Sequence, residues 1–319
     1  MTSITRCAAG ALLLGAAVMG ASPAAAWTRP GHMLTAAIAF DDLIAHDHAA
    51  AETIAALLDH HPDHGPFQVA AERSTGDERI LRLMMQCARW PDDQRQTPFD
   101  HPTWHYYATG TAGTGAPKPL PPEAAGSGQA VEALRLAFLE ASDPLAPVAD
   151  RALALCWVMH IAGDIHQPLH TSTLYSAAYP QGDAEGTRQY VFDPEVKATV
   201  SLHWYWDDRV NKSADPATIR ALAGDLEKRL PRASLTEISA GNRFDFAHWA
   251  AESHALAASR AYPASLKTGM ANDASAPAVT ADYSKLVADV SERRMALAGY
   301  RMADLLRAIA AVPVPKEGK

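Results

Sequence analysis

The chain has 319 residues, with 28 Lys and Arg against 36 Asp and Glu, for a formal net charge of −8. That acidity argues against a basic groove as the main source of affinity for a polyanion, although bound cations can supply positive charge locally. The length suffices for one large hydrophobic core.

The opening "MTSITRCAAGALLLGAAVMGASPAAA" holds one Arg, an apolar run and small residues at Ala24 and Ala26. It reads as a secretory signal, residues 1–26, cut before Trp27, and is too short and alanine-rich for a membrane anchor. The expected product is therefore one soluble, monomeric domain over 27–319, periplasmic or secreted. Cys7 leaves with the signal. Cys87 and Cys156 stay, both in apolar helical stretches, and the sequence leaves open whether they pair or remain buried thiols.

Helical periodicity and high Ala and Leu content predict helices near 31–46, 49–61, 76–89, 128–141, 145–165, 216–229, 244–261 and 278–311. The Gly/Pro-rich stretch 108–128 and residues 172–187 read as long surface loops. The piece "RQYVFDPEVKATVSLHW" holds the β-like content, enough for one small hairpin. No repeat or linker divides the chain, so the fold class is all-α, a single mainly helical domain with a small β-hairpin.

The stretch "HIAGDIHQPLH", residues 160–170, follows the apolar run "ALALCWVM". Ionisable groups are costly to bury without partners, so their concentration at the end of a core helix needs a cause. His160 and Asp164 lie four apart, roughly 40° around a helix, so they share a face. Gly163 leaves room for close approach, and Pro168 ends or bends the helix and re-aims His170. His203 and Asp207 repeat the four-residue spacing. Imidazole and carboxylate are usual zinc ligands. A cut before Trp27 would also free an amine able to serve as a nitrogen ligand, with His32 five residues on.

These elements together, "WTRPGH" (27–32), "WPDDQR" (90–95), "WHYY" (104–107), "HIAGDIHQPLH" and "LHWYWD" (202–207), resemble the three-zinc, single-strand-specific nucleases and 3′-nucleotidases of the mung-bean type, which are related to bacterial zinc-dependent phospholipase C. The resemblance implies three Zn²⁺ per chain. Asp92, His105, His160 and Asp164 would hold the first; His170, His203 and Asp207 the second. The amine and carbonyl of Trp27, with His32 and Asp164, would hold the third, so that Asp164 bridges two ions. It further implies hydrolysis of single-stranded DNA, RNA or 3′-nucleotides to 5′-phosphates, by hydroxide made available between bridged zincs. Asp92, Arg95 and Asp164 would be catalytic, with Arg95 gripping phosphate oxygens. A phospholipase C-like hydrolase and a non-catalytic zinc-binding protein are the alternatives.

Three positions depart from the family pattern. Ala108 stands where the family has Asp, Ser201 replaces an Asn, and the family's Gly-Asp-Arg-Gly-Gly-Asn segment reads "GDAEGT" (182–187), with Thr187 in the base-binding Asn place. Relaxed or shifted substrate preference follows. Trp204 and Tyr205 suit either base stacking or core packing. His166, roughly 120° from His160 around a helix, is expected to be structural. His60, His61 and His64 read as solvated residues at a helix end, His46 and His48 as a helix junction, and His248 and His254 as helix surface. Asn211 fits a glycosylation acceptor of little weight.

Overall fold

In the computed structural model the described residues are 27–314, except 211, 239, 240, 242 and 270–275. The predicted signal over residues 1–26, with Cys7, and the predicted acceptor Asn211 lie outside them.

Ten α-helices make up most of the described chain: α1 (Arg29–His46), α2 (His48–Leu58), α3 (His64–Ala71), α4 (Gly76–Arg89), α5 (Ala130–Ala141), α6 (Val148–Asp164), α7 (Leu202–Asp207), α8 (Pro216–Arg229), α9 (Phe246–Leu256) and α10 (Ala281–Ala310). The fold is thus mainly helical, as expected. Helix α1 starts at a proline in its first turn and buries nearly all of its first fifteen residues against α4, α8 and α10. Helix α6 is likewise buried from Ala154 to its end and packs on α4 and α5. Helices hydrophobic on all sides belong inside a layer of others. Their starts are fixed locally. Asp47, Ser201, Asp215, Asp245 and Thr280 each cap the following helix by accepting a backbone N–H.

Two of the predicted loops are partly strands. Strand β1 (Tyr107–Ala112) pairs in parallel with β3 (Ser172–Tyr175), Thr109 opposite Ser172, and antiparallel with β2 (Ser127–Gly128). The Gly and Thr content of "YATGTA" hid β1, because its partner arrives from 63 residues away and the ladder is set by tertiary contact. The predicted hairpin is present as β4 (Tyr190–Asp193) and β5 (Ala198–Ser201). It stops where "LHWYWD" turns into α7, which the β reading had absorbed.

Cys87 and Cys156 form a disulfide that joins α4 to α6, with Cα atoms 4.7 Å apart. Two apolar clusters fill the interior. The larger lies among α1, α2, α4, α5, α6 and α10; the smaller gathers Leu169, Val191, Leu202, Trp206, Tyr283 and Val287. His160 and Asp164 project from the larger, whereas His170 and His203 directly follow Leu169 and Leu202 of the smaller.

Candidate metal centre

Helix α6 ends at Asp164, four residues before Pro168, and a 3-10 turn over Pro168–Thr171 points His170 in a new direction. Asp92 arrives from a 3-10 turn over Trp90–Gln94, and His105 from another over Pro102–His105. His32 comes from the first turn of α1, and α7 carries both His203 and Asp207. A Cβ on Gly163 would lie 3.0 Å from His32 Nδ1, so the close approach of α1 to α6 depends on that glycine.

Three groups of ligand-type atoms result: His32, His160 and Asp164; Asp92, His105 and His160; His170, His203 and Asp207. Asp164 Oδ2 is 3.3 Å from both His105 Nδ1 and His160 Nε2, while Oδ1 is 3.3 Å from His32 Nε2. Asp92 also faces two ways, Oδ1 3.8 Å from His160 and Oδ2 3.8 Å from His32. In the remaining group His170 and His203 bring their Nε2 atoms to 3.0 Å, with Asp207 Oδ2 3.3 Å from His203. Ligands about 2 Å from one tetrahedral ion stand about 3.3 Å apart. The spacings, 2.9 to 3.9 Å, bracket that value.

The tautomers point the same way. His160 Nδ1–H donates to the Ala88 carbonyl (2.8 Å), His170 Nδ1–H to that of His105 (2.6 Å) and His203 Nδ1–H to that of Glu185 (2.7 Å). A carbonyl only accepts, so each neutral ring presents a bare Nε2 lone pair to the centre. Two such lone pairs facing each other at 3.0 Å repel unless a cation lies between them. Both oxygens of Asp164 and both nitrogens of His32 are buried without a hydrogen-bond partner, an arrangement costly in a dry interior.

Burial pushes Asp92 up to about 7 against the pull of Arg95, and lifts Asp164 and Asp207 well above the usual carboxylate range. Burial holds His160 down to about 3, despite the Ala88 carbonyl, and lowers His32 and His105 well below the ordinary imidazole value. The metal-free centre therefore pairs neutral imidazoles with carboxylates that need a positive neighbour. The residues present fit divalent ions.

Residues 27–311 match the S1/P1 nuclease family. The chain belongs to that family. Among curated proteins none matches the chain. A nuclease of this kind acts on nucleic acid, and the three His/Asp groups are its candidate metal sites. Among the described residues no helix is long and apolar enough to cross a membrane.

The other residues singled out in the sequence lie as follows. Trp27 is buried and its indole N–H donates to the Gly163 carbonyl at 3.0 Å; the Thr28 N–H reaches the Asp207 carbonyl at 3.3 Å. Arg95 lies 3.4 Å from Asp92 and 3.6 Å from Asp100, with about a quarter of its side chain exposed. Trp204 is exposed beside His203, whereas Tyr205 is buried core. Thr187 donates its hydroxyl to the Ala184 carbonyl in its own turn, Ser201 caps α7, and Ala108 is buried in β1.

Two histidine readings need correction. His61 is fully buried against Phe67 and Trp90, and burial lowers it to about 4; the helix-end reading failed because α3 folds back over it. His254 is half-buried, its Nδ1 bonded to Thr109 and to the Thr171 carbonyl, so it ties α9 to β1. His166 donates to the Ala162 carbonyl and accepts from Arg301 of α10, which anchors the turn after Asp164.

Sequence reasoning missed Gln167. Its Nε2 donates to Asp207 Oδ1 at 2.6 Å and its Oε1 accepts from the Leu169 N–H, which leaves Oδ2 directed at His203. A Gln next to a Pro in a histidine-rich run was the available signal. Gln167→Leu is expected to weaken divalent-ion binding at the His170, His203 and Asp207 group by about 10- to 100-fold and spare the other two groups. Competitive chelator titration would check this, and equal weakening at every site would count against it.

Proposed function

We propose that this nuclease is an exported three-zinc phosphodiesterase that cleaves single-stranded nucleic acid, and 3′-nucleotides, to 5′-phosphate products. The observation that carries the reading is Asp164, whose two oxygens face separate histidine sets at 3.3 Å each. Zinc, when bound there, supplies Lewis acidity that makes water a nucleophile near neutral pH and balances charge on the departing oxygen.

The chain's own groups do the rest. Asp92 and Asp164 align the centre from two sides, and Gln167 keeps Asp207 to one free oxygen. Arg95, beside Asp92 and part exposed, offers a guanidinium for bidentate contact with phosphate oxygens. Trp204 offers an exposed ring for base stacking. Thr187 uses its hydroxyl within its own turn, so it adds little base selectivity, and substrate preference is relaxed.

Export and the third zinc go together. The Trp27 indole and the Thr28 N–H are tied to the carbonyls of Gly163 and Asp207, which supports a third ion held, after cleavage before Trp27, by its amine and carbonyl together with His32 and Asp164. A Cys87–Cys156 disulfide suits an oxidising compartment. Hydrolysis of single-stranded DNA, RNA, 3′-nucleotides and an aryl phosphodiester, with chelator inhibition and zinc rescue, tests the activity. N-terminal mass analysis with metal counting should give Trp27 first and three zincs. Two zincs and an extended start would remove the third site; no turnover by the zinc-loaded chain would remove the activity.

A further inference from the structure

The turn that follows Asp164 is gripped from outside the centre, by side chains of α9 and α10. Ser253 Oγ donates to the Ile165 carbonyl at 2.6 Å, and Arg294 Nε donates to the His166 carbonyl at 3.1 Å. The His166 ring gives its Nδ1–H to the Ala162 carbonyl, so its Nε2 accepts, and Arg301 donates to it at 2.9 Å. Further bonds lock the donors themselves. Glu252 accepts from both guanidiniums, at 3.2 Å from Arg294 and 2.7 Å from Arg301, and Arg294 also donates to Ser253 Oγ at 2.6 Å.

Arg294 and Arg301 are buried, two turns apart on one face of α10. Between them Gly299 presses α10 onto α1, where a Cβ would lie 2.6 Å from Ile38 Cβ. One helix thus braces both the helix that carries His32 and the turn that joins Asp164 to His170. Stability alone does not call for this. Burying two guanidiniums around one carboxylate costs desolvation, and apolar side chains of like volume commonly hold such a contact as well. Apolar side chains cannot, however, fix two carbonyls and a ring nitrogen at hydrogen-bond length. The other side of the same turn serves the centre, since Gln167 holds Asp207.

We propose that Ser253, Arg294 and Arg301 are positioning residues, which hold the turn over 165–167 so that the His170 group keeps a fixed separation from the groups around Asp164. The inference rests on the phosphodiesterase reading and deepens it. The two parts of such a centre must act on one phosphate together, and a misplacement of about 1 Å costs about 10²-fold in rate. Losing the grip therefore slows the chemical step while every ligand side chain stays in its own group.

The test compares wild type with Ser253→Ala, Arg294→Lys and Arg301→Lys. Lysine keeps the charge but not the planar fork that meets Glu252 and the turn together. Both lysine variants should lower kcat on a dinucleoside monophosphate about 10- to 100-fold, with KM within about twofold. Ser253→Ala, which removes one grip, should fall between them and wild type, and it keeps the test open if a lysine variant does not fold. Zinc content and thermal stability of the folded variants should match wild type. Two readouts need no turnover. The amides of Gln167, Leu169 and His170 should exchange faster in the metal-free variants, and electron paramagnetic resonance of Co²⁺-loaded chains should show altered coupling between ions. Wild-type kcat in the variants, or a loss of rate matched by loss of zinc or of stability, would overturn the proposal. Unchanged exchange together with an unchanged Co²⁺ spectrum would overturn it too. Absence of turnover by wild type would instead overturn the phosphodiesterase reading, and exchange and Co²⁺ coupling would still decide whether these residues position the turn.

Discussion

On the proposed three-zinc reading, Asp164→Asn is expected to reduce the metal content from three ions per chain to two or fewer and to slow phosphodiester hydrolysis at least about 10³-fold. Each carboxylate oxygen faces a different histidine set, Oδ1 toward His32 and Oδ2 toward His105 and His160. Asparagine has nearly the same shape but one oxygen, and its NH₂ cannot ligate. Whichever way the amide turns, one set loses its oxygen ligand and both lose the negative charge. Because volume is conserved, the fold should survive, which circular dichroism would verify. Metal analysis paired with single-turnover kinetics would measure the rest. A variant that keeps three zincs and wild-type turnover would show that Asp164 does not bridge.

Affinity for a divalent ion at this centre should fall steeply as pH drops below 7, with the released protons coming from carboxyls and not from histidines. In the metal-free chain burial lifts Asp92 to about 7, and lifts Asp164 in the same direction. A raised carboxyl pKa means that the metal-free form holds a proton the metal-bound form must lose, so acid favours the metal-free form. Asp92 alone would cost about 25-fold in affinity between about pH 7.5 and about pH 5.5. The imidazoles add little, since burial already keeps His160 at about 3 and His32 and His105 neutral. Calorimetry in buffers of different ionisation enthalpy would count the protons, and ¹⁵N shifts of the metal-free rings would locate them. Flat affinity over this range, or rings that titrate near pH 6.5, would contradict the account.

The i, i+4 pairs His160/Asp164 and His203/Asp207, the break at Pro168 and the small residue at Gly163 were legible in the sequence. Each is a local consequence of helix geometry and of what one residue type does to its own turn. The apolar stretches that became α1, α4, α6 and α10 were legible for the same reason, because a period of 3.6 is written into neighbouring positions.

Tertiary structure alone decided the rest. Sequence could not show that Asp92 looks toward both His160 and His32, since that follows from how a 3-10 turn packs under α1 and α6. It could not supply the carbonyls of Ala88, His105 and Glu185 that fix three imidazoles, because every residue carries a carbonyl and only the fold selects which one meets a ring. The parallel pairing of β1 with β3 and the burial of His61 are of the same kind. Local geometry repeats along the chain and can be read there, whereas contacts between distant segments depend on packing that no single stretch encodes.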